Sequence, residues 1–126
     1  MIKTNQLSNE EILLNSGEHL IAQSGEPIVN ITAFTARQKA SGYVGDQISH
    51  LMGGGDPTLI LTNGVLVWRV PIVLTMLSQG TVGVVGFLDV NARTGSLMIP
   101  PHFIEQVETR AQEITADSWY AVIKKV

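Results

Sequence analysis

The sequence predicts an α+β fold, with an antiparallel sheet of three to five strands packed by a central helix and further helices at the N- and C-terminal ends. Three observations carry that reading. Asn63-Gly64 separates two β-branched apolar runs and is the strongest two-residue hairpin signal. In the run that follows, Leu66, Trp68, Val70, Ile72, Leu74 and Met76 fall on alternate positions, the period of a strand with one buried face. Ahead of the hairpin, Ala36, Ala40, Val44, Ile48 and Leu51 recur at three- and four-residue spacing, a narrow stripe of mainly small residues able to lie close on a sheet.

Taken in order, Ser8 with Glu11 forms a capping-box pattern, and Leu13, Leu14, Gly17, Leu20 and Ile21 then share one helical face, with Gly25 as the stop. "PIVNITAF" reads as a short strand leading to a second capping box, Thr35 with Gln38, which opens the central helix over 35–52. Gly53-Gly54-Gly55 ends that helix. Strands follow at "TLILT", "VLVWRVPIVLTML" and "TVGVVGFLDVNA", the last with Val82, Val84, Leu88, Val90 and Ala92 inward. Pro71 has no ladder donor and marks an edge position or a bulge. "RTG" turns the chain, with Gly95 free to take positive φ, and "SLMI" returns. Pro101 opens a last helix whose apolar face is Phe103, Ile104, Val107, Ala111 and Ile114. The tail "SWYAVIKKV" fits a strand and a helix equally.

The chain of 126 residues has the length of one domain and can bury a core without cross-links. With no cysteine it offers neither thiolate chemistry nor a Cys-ligated zinc. Charged residues make up 15% of it, against roughly 25% in an ordinary soluble domain. From Pro57 to Leu88 the sole charged side chain is Arg69. Asn63-Gly64, Arg69, Pro71 and Ser78-Gln79-Gly80 break that stretch before the ~20 apolar residues of a membrane span, so it reads as strands. A net charge of −3 gives no basic field for nucleic acid. The polar N-terminal stretch has no apolar signal core, and the expected location is cytoplasmic.

The central helix, the Trp68-Arg69-Val70 strand and the Val90-Asn91-Ala92-Arg93-Thr94-Gly95 turn together resemble the PepSY family, over about residues 30–100. That family is a small α+β module found in metallopeptidase propeptides and other regulatory proteins, with a Trp-x-Val strand and a Val-Asp-Ala-x-Thr-Gly turn. The resemblance implies a helix packed on an antiparallel sheet and a role in binding or in inhibition of a peptidase. It transfers no catalytic residue. Asn91 stands where the family has Asp, and both end segments lie outside the match.

Motifs for chemistry are sparse. The glycines of "GTVGVVG" sit within a strand instead of between a strand and a helix, so they do not form a dinucleotide fingerprint. "LMGGGDPT" lacks the Lys-Ser or Lys-Thr of a phosphate loop. Asp46 and His50 are one helical turn apart, yet two ligands fall short of a zinc site, and neither a cofactor nor a metal is expected. Ser96 has no nucleophile elbow. On the outward face of the strands, Arg69 and Asp89 are placed to pair across the ladder, bordered by Arg93. Val65, Val67, Val73, Leu77, Val85 and Phe87 share that face by parity, an amount of apolar surface that monomers rarely leave bare, so an end helix or another chain is expected to cover it.

Two functional classes follow. The first is a non-enzymatic binding or regulatory domain that forms a homo-oligomer, a dimer or higher, and contacts a protein or peptide through a sheet face. The second is a small-molecule binder or weak enzyme with a pocket between the 35–52 helix and the sheet, lined by Tyr43, Asp46, His50 and Arg69.

Overall fold

The structure, a computed structural model, describes residues 12–14 and 29–124. Its elements are β1 (Ile12–Leu14), α1 (Ala33–Gln47), β2 (Met52–Gly54), β3 (Thr58–Thr62), β4 (Val65–Met76), β5 (Gly80–Asn91), β6 (Leu97–Met98) and α2 (Phe103–Lys124). Five strands follow one another across an antiparallel sheet in the order β1-β3-β4-β5-β6, and β2 pairs with β4 beside them. The fold is α+β, as the sequence predicts.

β4 organises the sheet. Its first half pairs with β3, from Thr62↔Val65 to Thr58↔Arg69, across the Asn63-Gly64 turn. Both turn residues take positive φ, 50° and 76°, as a tight hairpin with right-handed strand twist requires. The second half pairs with β2, from Gly54↔Ile72 to Met52↔Leu74. Pro71 lies where one neighbour gives way to the other. Its carbonyl accepts from Gly55 N at 2.7 Å, so its missing N–H would point into that joint and no ladder bond is lost.

Both described helices lie on one side of the sheet. Ala36, Ala40 and Val44 of α1 and Phe103 and Val107 of α2 form one core with Trp68, Val70, Ile72, Leu74, Leu88, Val90 and Ala92. These are the even positions of β4 and of the C-terminal half of β5, as the alternation predicts. Gly86 lets α2 close on β5, since a Cβ there would stand 3.0 Å from Val107 Cγ2.

Several elements depart from the sequence reading. Ile12–Leu14, predicted within an N-terminal helix, is a strand in register with Leu59–Leu61. The rest of that predicted helix lies outside the described residues. Three consecutive apolar residues satisfy the otherwise bare edge of β3, a tertiary demand that outweighs helical periodicity. "PIVNITAF" does not form a strand over its described residues. Asn30 N and Ile31 N both donate to Ala92 O, the Ile31 carbonyl accepts from Trp68 Nε1 at 2.9 Å, and the helix has begun by Ala33. Its cap is Thr32, whose Oγ1 accepts from Thr35 N at 3.1 Å, so the predicted cap is the residue being capped.

The helix predicted to run to 52 stops at Gln47, and the glycines expected to end it form β2 and the residue after it. Gly54 is needed for close approach to α1, because its N donates to Ser41 Oγ at 2.8 Å and its carbonyl accepts from Arg37 Nε at 2.9 Å. β5 carries register shifts opposite Ile72/Val73 and Leu74/Thr75, which invert its parity. Val85, expected on the outward face, is therefore core, and Val84, expected inward, is 43% exposed. The tail that fits either element continues α2 as helix as far as Lys124.

Candidate functional site

The side of the sheet away from α1 and α2 carries the polar pair singled out in the sequence. Arg69 and Asp89 are direct register partners on β4 and β5. The guanidinium grips the carboxylate twice, Nε to Oδ1 and Nη2 to Oδ2, both at 2.9 Å. With side chains 26% and 20% exposed, the pair is largely shielded and its charges cancel locally. Met98 of β6 lies opposite Asp89 on the next strand. Arg69, Phe87, Asp89, Met98 and Pro100 line a shallow depression of about 310 Å³ around the pair.

This side divides in two. Ile60 and Val67, opposite each other on β3 and β4, are buried. Towards β5 and β6 the apolar side chains are bare: Phe87 is 56% exposed, and Val84 and Met98 are exposed with it. Pro71 faces Phe87 and Val73 faces Val84 across the ladder, so an apolar strip continues from the Arg69–Asp89 pair along β4 and β5. Leu77, in the following turn, is fully exposed. Val85 is thus a correction to the outward apolar set, Val67 lies on the expected face but is buried there, and Phe87, Val73 and Leu77 belong to the set or border it. Val84 and Met98 are additions to that set. Met98 follows from counting back from Asp89 through the turn, while Val84 depends on a bulge that residue alternation does not reveal.

Arg93 sits in the turn beyond the pair. Its backbone N donates to Asn91 Oδ1 at 2.9 Å, Thr94 N donates to the same oxygen at 3.0 Å, and Arg93 O accepts from Asn30 Nδ2. The amide oxygen of Asn91 here accepts the two bonds that a carboxylate would accept in its place. Gly95, at φ 79°, closes the turn by donating its N to Asn91 O.

The residues named for a pocket between helix and sheet do not converge. Tyr43 packs against Phe103, ring centroids 6.3 Å apart, and helps join α1 to α2. Asp46 is exposed on α1, and His50 is exposed beyond its end, so they do not share a continuous helical face. Arg69 lies on the other side of the sheet from α1. Among the described residues no group of three or more His, Asp or Glu side chains is placed to hold a metal ion. No helix among them is long and apolar enough to cross a membrane.

Comparison with known proteins finds no family model that matches the chain, and no curated protein or solved structure similar to it.

Proposed function

We propose that this chain is a non-enzymatic binding or regulatory module that self-associates and takes a protein or peptide partner through the β4–β5–β6 side of its sheet. The observation that carries this reading is the bare apolar strip of Phe87, Val84 and Met98 beside a locally neutral Arg69–Asp89 pair. Apolar area with few competing charges favours association, and the charge pair at its margin supplies register. A PepSY-like assignment belongs to the same proposal, supported by the Trp68-Arg69-Val70 and Val90–Gly95 matches, and so does a cytoplasmic setting, with which the cysteine-free composition is compatible.

Native mass spectrometry of the wild type and of Phe87→Asp tests the proposal. The wild type is expected as a dimer or higher multiple of the 13.6 kDa chain, and Phe87→Asp as a folded monomer. A variant that stays folded and keeps the wild-type mass contradicts the reading.

A further inference from the structure

The chain has no cysteine, so all of its sulfur is methionine thioether. Of the described methionines, Met52 is buried in the core and Met76 is half-buried, whereas Met98 is 42% exposed. Its position accounts for the difference. β6 is two residues long, and Leu97 packs against the core while Met98 turns to the opposite side of the sheet. There it stands in register with Asp89 and lines the depression shared with Arg69, Phe87 and Pro100.

From this we infer that Met98 is an oxidation site, which takes one oxygen atom from a peroxide and so regulates the face it stands on. A lone pair of the thioether sulfur attacks one oxygen of hydrogen peroxide, and the O–O bond breaks. The departing hydroxide takes the proton of the transferred oxygen and leaves as water, so that sulfur is oxidised to the sulfoxide and the peroxide is reduced. No thiol competes for the oxidant. The product replaces an apolar wall of the Phe87, Val84 and Met98 strip with a polar acceptor. Pressed against an apolar partner surface, that oxygen loses water without gaining a donor, and association through this face weakens by roughly tenfold or more. Association in turn shields the sulfur, so a peroxide acts on the separated chain and holds it apart. This consequence rests on the self-association proposed above; the selectivity for Met98 does not.

The test treats dilute protein with hydrogen peroxide and follows oxygen uptake at each described methionine by peptide mapping. Met98 is expected to react ahead of Met52 and Met76. The treated protein, brought back to the concentration at which the wild type associates, is then expected in native mass spectra at the single 13.6 kDa chain mass plus one oxygen. Met98→Leu keeps an apolar side chain without the sulfur, and it is expected to stay associated before and after the same treatment. Met52 or Met76 reacting as fast as Met98 overturns the site. A wild type that carries the Met98 sulfoxide and stays associated, or a Met98→Leu that dissociates on treatment, overturns the consequence. An untreated wild type that is monomeric overturns the self-association itself, and the peptide map then decides the site alone.

Discussion

Gly54 is the position where α1 and the sheet come closest, and Gly54→Ala measures that closeness. A Cβ built there lies 2.9 Å from Val70 Cγ1, 3.1 Å from the Arg37 carbonyl oxygen and 3.1 Å from Ser41 Oγ. None of the three yields readily. Val70 is fully buried, the carbonyl belongs to helix backbone, and Ser41 Oγ is held by the Gly54 N–H at 2.8 Å. Forcing a methyl group into such a contact costs about 1–3 kcal/mol. Against this, replacing glycine restricts the unfolded chain and returns about 0.4–1 kcal/mol. The net destabilisation is about 1–2 kcal/mol, which lowers Tm by roughly 5 °C in a domain of this size. Gly53→Ala is the matched control, since its Cβ would meet only Ser41 Oγ, at an ordinary 3.8 Å. Thermal and urea unfolding followed by far-ultraviolet circular dichroism reads both. A Gly54→Ala protein as stable as Gly53→Ala would refute the claim that α1 rests on β2 at this distance.

Two further outcomes follow from individual contacts. Thr32→Ala removes the N-cap of α1 and is expected to cost about 1 kcal/mol in the same unfolding experiments. Thr35→Ala costs less, because Thr35 is capped through its backbone N; equal losses would speak against a cap at Thr32. A double-mutant cycle on Arg69→Ala and Asp89→Ala is expected to give a coupling of about 1 kcal/mol, the upper end for surface pairs, because the bond is bidentate and mostly shielded. A coupling near zero would mean that the two side chains do not hold each other.

Much of the fold is legible in the sequence because local and tertiary demands agree in it. The parity of β4 fixes which residues meet the helices, and Asn63-Gly64 fixes how β3 returns to it. The same parity puts Arg69 and Asp89 on one face, but the two register shifts of β5 bring them opposite each other, since an unshifted ladder from Met76↔Gly80 would set Arg69 opposite Phe87. Where one residue serves two readings, the tertiary role prevails. Gly54 resembles a helix stop in sequence, yet its lack of a Cβ serves the approach of Arg37 and Ser41. Thr35 resembles a cap, but Thr32 lies three residues earlier with the same chemistry. Val84 and Val85 differ only by a bulge, and in "GTVGVVG" either valine fits the core until the register with β4 is known. The Asp46 and His50 pairing fails because it assumes a helix that runs past Gln47.

If the β4–β5–β6 side of the sheet is the contact surface and the helical side is not, the two sides must respond differently to protein concentration. Hydroxyl-radical footprinting at low and high concentration reads side chains on both sides in one sample. Phe87 and Met98 lie on the proposed surface, and Phe34, 68% exposed on α1, reports the helical side. Phe87 and Met98 are expected to become protected as concentration rises, while Phe34 keeps its reactivity. Protection of Phe34 with Phe87 unchanged, or no change at either, would contradict a contact surface on the sheet.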